Sequence, residues 1–206
     1  MISANDLTDA FARNVNIVKM QTKDLTHEDS LRQPPFRGNC LNWVLGHIAE
    51  NRDHILELLG EQPKMGTLGA RYKRGSEPLT DASDGVLRLD ELLTWLDRAQ
   101  ERLAAAIARM DDTAWAREVT VGNNRKTTVG QRVFFLYFHE TYHVGQTELF
   151  RQLAGKDDNE RFTHNLSQLS SCHTQHARAL ARRGRHAARH HFLHTPPSPV
   201  PPFSPA

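Results

Sequence analysis

The sequence predicts an all-α protein in which four long helices form a bundle. Four segments of about 20–25 residues carry apolar side chains at every third or fourth position, the period of an amphipathic helix. Runs of β-branched residues, which an α/β sheet would need in several places, are absent apart from one short stretch near residue 120. The composition, with 38% hydrophobic and 24% charged residues among 206, is that of a globular protein. Amphipathic helices of this length bury their apolar faces against one another, which gives a helical bundle.

The first two predicted helices occupy the first 60 residues. Ser3 and Asn5 are good N-cap residues for the first helix. Its apolar positions are Leu7, Phe11, Val15, Val18 and Leu25. Two prolines and a glycine break the chain over 34–38, and the second helix runs from about Leu41 to about Gly60. Its apolar positions are Leu41, Val44, Leu45, Ile48, Ile55, Leu58 and Leu59.

A polar connection over 61–85 separates these helices from the third, which is predicted from Val86 to Met110. Before the fourth helix, two β-branched triplets flank Gly122–Asn124 and predict a short β-hairpin. The triplets are Val119–Val121 and Thr127–Val129.

The fourth helix is predicted from Val129 to about Ala154. Thr128 followed three residues later by Gln131 has the pattern of a capping box at its start. Gly155 stands where a glycine commonly ends a helix. This helix contains two of the twelve histidines of the chain, four residues apart.

The distribution of charge divides the chain near residue 162. Residues 1–162 contain 21 Lys and Arg and all 24 Asp and Glu, whereas 163–206 contain five Arg and no acid. Seven of the twelve histidines and six of the ten prolines lie in that last segment. We therefore predict a folded domain at 1–162 and a low-complexity, disordered tail at 163–206. The abrupt change also suggests the hypothesis that an altered reading frame produced the tail.

The composition argues against a membrane protein and against sequence-specific binding of nucleic acid. The longest apolar runs, Leu103–Ala108 and Val133–Phe138, are six residues each, far short of the about 20 residues that span a bilayer. The N terminus lacks the basic and apolar regions of a secretory signal, and two cysteines do not make a disulfide framework. Residues 1–162 have a net charge of −3 and no basic stripe interleaved with aromatic residues. We expect a cytoplasmic protein.

A pair of histidines on the fourth helix is the strongest functional signal. His139 and His143 are four residues apart, so both imidazoles project from one face of the helix, with about 5–6 Å between their Cβ atoms. This spacing suits two ligands of one metal ion, since a Zn–N bond is about 2.0–2.1 Å long. Two half-buried histidines without a metal are the alternative interpretation of the pair alone.

A third ligand should come from another helix, because bundles build metal sites from facing helices. The other three histidines of residues 1–162 are His27, His47 and His54. His27 lies in a polar run and is interpreted as a surface residue. His47 adjoins the apolar position Ile48 and follows Gly46, which allows a close neighbour. His54 lies two turns further along on a similar face, and it remains a competitor of His47.

The segment Trp43–Ile48 on the second helix, together with His139–Gln146 on the fourth, resembles the DinB family. This is a large group of damage-inducible-type four-helix proteins related to mycothiol-dependent maleylpyruvate isomerases and bacillithiol transferases. Its members carry one histidine in an apolar second helix and a His-x-x-x-His-x-Gly-Gln segment in the last helix. The matching residues here are His47, His139 and His143. The resemblance extends over about residues 1–160, and it implies an up-down-down-up bundle, a divalent metal held by these three histidines, and homodimerisation.

The resemblance does not imply one reaction. A metal held by three histidines with an open position can act as a Lewis acid, activate water or bind a thiolate. The thiol-transferase relatives favour a metal-dependent enzyme of thiol-transferase or hydrolase type that acts on a small-molecule substrate with a low-molecular-weight thiol. Zinc is the favoured metal, and imidazole ligands also suit nickel and iron. The alternative is a non-catalytic, stress-related metal-binding bundle, in which a fourth protein ligand would close the site.

The letters His139-Glu140-x-x-His143 also match a zinc-protease motif, in which Glu140 would be the general base. The extended form of that motif fails, because Gln146 and Leu149 stand where it requires glycine and histidine. Glu140 projects about 100° away from His139 around the helix. We therefore interpret Glu140 as a residue that contacts the metal ligands without binding the metal, or that faces solvent.

Three other residues near the histidines are given structural roles. Cys40 lies at the start of the second helix, about two turns before His47, and is interpreted as a packing residue and not as a nucleophile. Arg52 and Tyr142 lie within one or two turns of the histidines. Both are interpreted as surface or core-rim residues.

Overall fold

Helices make up most of the structure. The computed structural model describes residues 3–79 and 85–156, and the predicted tail at 163–206 lies outside them. In chain order the elements are α1 (Ala4–Thr22), α2 (His27–Leu31), α3 (Leu41–Leu58), a 3₁₀ helix (Gly66–Tyr72), α4 (Leu89–Ala108), α5 (Asp112–Ala116), β1 (Glu118–Val121), β2 (Arg125–Thr128) and α6 (Val129–Leu153). The four long helices correspond to the four that the sequence predicts. The short helices α2 and α5 and the 3₁₀ helix interrupt stretches that were expected to be connections.

A capping box and a glycine set the two ends of the last helix. At its start, the Thr128 hydroxyl accepts a hydrogen bond from the backbone N–H of Gln131 at 3.2 Å. The Gln131 side chain accepts one from the backbone N–H of Thr128 at 3.3 Å, which completes the predicted capping box. At the other end, Gly155 has a φ of 74°, the left-handed conformation that glycine adopts at little cost. Both predicted ends of α6 are confirmed.

Two helix boundaries differ from the prediction. α1 ends before Leu25, because Asp24 has a φ of 63°, a conformation that cannot continue a right-handed helix. α4 begins at Leu89, a few residues later than predicted. There the Glu91 carboxylate accepts a 2.8 Å hydrogen bond from the backbone N–H of Arg88 and holds the start of the helix.

The hairpin predicted before the last helix is present. β1 and β2 pair antiparallel, with Val121 opposite Arg125. Asn123 and Asn124 turn the chain with φ values of 60° and 55°, a conformation that asparagine tolerates better than most residues. β2 ends earlier than predicted, because Val129 already belongs to α6.

The long helices share one apolar interior. α1 and α3 each pack against both α4 and α6. Buried residues from all four helices form two clusters. Members that are no more than 3% exposed include Val18, Leu45, Leu96 and Val144 in the first cluster and Phe11, Ile55, Leu103 and Val133 in the second. These contacts hold α3 and α6, which carry the candidate ligands, side by side. No helix within residues 3–79 and 85–156 has both the length and the apolar character needed to cross a bilayer.

A buried ion pair joins the four long helices. Arg52 of α3 donates to both carboxylate oxygens of Glu140 of α6 at 2.8 Å each, and neither side chain is more than 1% exposed. Arg52 also donates to the Gln100 side chain of α4 at 2.9 Å and to the backbone oxygen of Phe11 of α1 at 3.0 Å. Asn14 of α1 donates to Glu140 at 3.1 Å. The interpretation of Arg52 as a surface or rim residue is therefore wrong, since its guanidinium lies wholly inside the bundle.

Candidate metal centre

Three imidazoles meet where α3 packs against α6. His47 comes from α3, and His139 and His143 come from α6. One ring nitrogen of each lies within 4.8 Å of those of the other two. The Nε2 atoms of His139 and His143 are 3.2 Å apart, close to the about 3.3 Å that separates two nitrogens bound to one tetrahedral zinc ion. The structure thus brings together the three histidines that the sequence singles out.

Backbone and ring contacts orient His47. Its Nδ1 lies 2.8 Å from the backbone oxygen of Tyr72. A carbonyl oxygen only accepts, so Nδ1 carries the proton and Nε2 keeps its lone pair. The Trp43 ring stacks on the imidazole with centroids 4.7 Å apart. The Asn51 amide nitrogen lies 3.4 Å from Nδ1 and 3.2 Å from Nε2, and it donates to the backbone oxygen of His47 at 2.8 Å.

Gln146 orients His143 in the same way. The amide oxygen of Gln146, one turn later on α6, lies 2.7 Å from Nδ1 of His143. This contact places the proton on Nδ1 and leaves the Nε2 lone pair facing His139. Nδ1 of His139 is buried and has no hydrogen-bond partner among the described residues. Two imidazole lone pairs at this separation repel each other unless a proton or a cation lies between them.

Burial keeps the three imidazoles neutral. Removal from water lowers the pKa of His47 to about 4, despite the opposing effect of the Tyr72 carbonyl. Burial also lowers the pKa values of His143 and His139, and electrostatic interactions with His143, Arg132 and Arg74 lower that of His139 further. Metal binding requires neutral imidazoles. All three side chains are therefore in the ligating form at neutral pH.

The two competing histidines lie outside the cluster. The imidazole of His54 is 41% exposed and its Nδ1 lies 3.5 Å from a carboxylate oxygen of Glu57. His27 begins the short helix α2. Seven residues of helix separate His54 from His47 by about 10 Å along the axis, so a similar angular position does not bring both side chains to one point. Of the two histidines on α3, His47 is therefore the one that lies in the cluster.

Glu140 and Cys40 are not placed for chemistry. Both carboxylate oxygens of Glu140 bind Arg52, and the side chain is 1% exposed, so it is not available as a general base. This arrangement disfavours the protease interpretation. Cys40 is fully buried, and burial raises the pKa of its thiol. A buried, protonated thiol is inert, which agrees with the structural role expected for Cys40.

Sequence reasoning missed the acceptor that orients His47. The Tyr72 carbonyl lies 25 residues away in sequence, and no side-chain pattern marks a backbone oxygen. Gln146 was visible as part of the segment on α6 but was given no role. Its spacing of three residues from His143 on a helix was the signal that could have assigned one.

The structure combines a bundle of long helices with a partly buried cluster of three histidines contributed by two of them. Residues 11–147 match the family model of the DinB superfamily. The match covers well over half of the chain, and the protein belongs to the DinB superfamily. No curated protein matches the sequence.

The chain is similar to solved structures at low sequence identity. A conserved protein from Enterococcus faecalis superposes with a TM-score of 0.61 and 11% identity, over 76% of this chain and 99% of that one. A mycothiol-dependent maleylpyruvate isomerase, in wild-type and mutant forms, superposes with a TM-score of 0.48 and 14% identity. That alignment covers 70% of this chain and 62% of the isomerase. At 11% identity, the likeness to the Enterococcus faecalis protein concerns the fold alone.

Proposed function

We propose that this protein is a metal-dependent enzyme of thiol-transferase or hydrolase type, in which His47, His139 and His143 hold one divalent cation. Zinc is the favoured cation, and nickel or iron also suits imidazole ligands. The observation that carries the proposal is the convergence of three neutral imidazoles, two of them oriented through Nδ1 by oxygen acceptors. Acceptors of this kind are typical partners of metal-bound histidines. The up-down-down-up helix order belongs to the same proposal, supported by the packing of α1 and α3 against both α4 and α6.

The cluster is suited to a reactive centre more than to a closed one. Among the described residues, no carboxylate, cysteine or further histidine joins the three. A tetrahedral cation held there would keep one position for water or a substrate. Such a cation supplies Lewis acidity toward a thiol, a water molecule or a carbonyl group. The chain itself contributes the fixed orientation of the ligands and a partly buried setting that keeps the imidazoles from taking up a second proton. The non-catalytic bundle remains the second candidate function, and turnover distinguishes the two.

Substitution of each histidine tests the metal centre. We expect about one divalent metal per chain in the purified protein, and loss of most of that metal in His47→Ala, His139→Ala and His143→Ala, because two imidazoles bind far more weakly than three. His54→Ala and His27→Ala are matched controls that should retain the metal. Elemental analysis after dialysis measures the content, and the tail histidines are common to all variants. Metal loss in His54→Ala but not in His47→Ala would contradict the assignment, as would a wild-type protein that stays empty after reconstitution.

A panel of low-molecular-weight thiols and electrophiles tests the enzymatic part of the proposal. We expect turnover that a chelator abolishes and that His139→Ala lacks. Normal metal content without turnover of any pair would favour the non-catalytic bundle.

We also propose a homodimer, which the exposed face of α6 supports. Phe134, Phe138 and Tyr142 follow one another at helical spacing and are 48%, 63% and 62% exposed. A contiguous apolar stripe of this kind is typical of an interaction surface. Phe138→Glu should convert a dimer to a monomer, whereas Phe36→Glu, at a residue 66% exposed outside the stripe, should not. Light scattering at several protein concentrations gives the molar mass, and a monomeric wild type would contradict the proposal.

A further inference from the structure

A cleft opens beside the histidine cluster. It has a volume of about 790 Å³ and includes His47 and His139 in its wall. The remaining lining comes from α3, from the chain just after Tyr72, from the turn of the hairpin and from α6. Clefts of about 300–1,000 Å³ are the size that holds a small organic ligand. A ligand in this cleft would therefore reach the imidazoles.

The cleft carries an excess of positive charge. Its lining includes four cations, Lys73, Arg74, Arg125 and Arg132, and a single carboxylate, Glu50. Among the described residues, none of the four cations takes part in an ion pair within 4.0 Å. Burial raises the pKa of the Glu50 carboxyl, although Lys73 acts in the opposite direction. The protein thus holds like charges together without an adequate counter-ion, an arrangement that attracts anions.

Arg132 is the best placed of these cations. Its guanidinium lies over the Phe135 ring, 5.2 Å from the centroid, and that ring is nearly parallel to the His139 imidazole, at 18° with centroids 6.4 Å apart. The Nε atom of Arg132 is buried and has no hydrogen-bond partner among the described residues. A buried donor without a partner is unusual in a folded protein and indicates a missing acceptor.

The cations and the histidine cluster share one site. Arg74 and Arg132 line the same cleft as His47 and His139, and the Phe135 ring lies near both the Arg132 guanidinium and the His139 imidazole. Burial lowers the pKa of the Arg132 guanidinium, and the nearby charge of Arg125 lowers it further. An anion bound among these groups would relieve the mutual repulsion of the three arginines.

We propose that this cleft is the substrate-binding site and that it takes a small molecule carrying a carboxylate or phosphate group, which Arg132 and Arg74 hold. This inference rests on the proposed function, in which the histidine cluster is the reactive end of the site. The planar guanidinium presents two parallel N–H donors that match the two oxygens of a carboxylate or phosphate. The unpartnered Nε–H of Arg132 is one such donor. Bound in this way, the anionic group anchors the substrate and directs its reactive part toward His139.

Anion binding to the full-length, chelator-treated protein tests the inference. Removing metal eliminates direct coordination of the anion by a cation. Inorganic phosphate and succinate are the two probes, titrated calorimetrically at constant low ionic strength, because salt screens such interactions. We expect saturable binding of at least one probe, and the tighter of the two identifies the group that the cleft prefers. Arg132→Gln and Arg74→Gln should each weaken binding about tenfold or more, since a charge-assisted hydrogen bond is lost.

Arg13→Gln is the matched control. Arg13 is exposed on α1 and does not line the cleft, so this variant removes the same charge and should bind the probes as the wild type does. Equal weakening in Arg132→Gln and Arg13→Gln, or no saturable binding at all, would overturn the inference. Metal content measured on the same proteins separates the two proposals. Anion binding that depends on Arg132 in a protein that never holds metal would refute only the metal centre, whereas normal metal content without anion binding would refute only the cleft.

Discussion

Replacing Arg52 by methionine should destabilise the folded protein by about 3–5 kcal/mol, the usual cost of breaking a buried ion pair by removing one partner. The substitution leaves the Glu140 carboxylate inside the bundle with Asn14 as its remaining side-chain donor from another helix. It also leaves the Phe11 carbonyl and the Gln100 side chain without the donors that they have now. Because all four long helices meet at this network, its loss should lower the urea concentration at which the whole bundle unfolds. Urea denaturation at neutral pH, with the slope checked for two-state behaviour, measures the change.

The Lys19–Asp97 pair supplies the control. This salt bridge is 2.9 Å long, but its side chains are about half exposed, at 50% and 46%. Lys19→Met removes the same charge and should change stability by no more than about 1 kcal/mol. The double variant Arg52→Met, Glu140→Leu should recover part of the loss, since it removes the uncompensated charge as well. Similar effects of Arg52→Met and Lys19→Met would show that the buried pair does not stabilise the bundle.

Gly46→Ala should destabilise the protein by about 3 kcal/mol, at the upper end of what overpacking a core costs. A Cβ atom at this position would lie 2.1 Å from Cδ1 and 2.3 Å from Cε1 of the Tyr72 ring. The ring cannot easily move away, because Tyr72 is fully buried and its hydroxyl accepts a 2.7 Å hydrogen bond from the backbone N–H of Leu87. Displacing Tyr72 would also move the carbonyl that orients His47. We therefore expect weaker metal retention together with a lower melting temperature.

Gly145→Ala is the comparison for this substitution. Gly145 also lies inside a long helix and next to the cluster, but a Cβ atom there would meet nothing within 4 Å. Alanine favours a helix over glycine by up to about 1 kcal/mol, so this variant should be as stable as the wild type or more stable. Thermal unfolding and metal content of both variants decide the matter. A Gly46→Ala protein that matches Gly145→Ala in both measurements would show that the close approach of Tyr72 is unimportant.

Local sequence was sufficient to predict the four long helices and the hairpin. The capping box of Thr128 and Gln131, the glycine that ends α6 and the asparagine turn of the hairpin each depend on residues at most a few positions apart. The same holds for His139 and His143, because the period of a helix alone puts positions four apart on one face. Gly46 was correctly interpreted as a position that allows a close neighbour. The sequence did not identify Tyr72 as that neighbour.

The choice between His47 and His54 required the tertiary structure. Both lie on α3 at similar angles around its axis, and only the packing of α3 against α6 determines which one reaches the pair. Arg52 and Glu140 are likewise 88 residues apart in sequence. A charged residue of either kind is usually found at the surface. Nothing in the sequence around Arg52 or Glu140 indicates that the two will pair in the interior.

The positive charge of the cleft likewise could not be predicted from the sequence alone. Its cations come from the chain after the 3₁₀ helix, from the hairpin and from α6, whereas residues 1–162 together have a net charge of −3. Composition reports the sum of the charges and not their positions. Helical periodicity and capping act between near neighbours, so they can be derived from the order of the residues. Ligand convergence, charge compensation and cleft polarity depend on which faces of distant segments meet, and that is decided by the packing of the whole core.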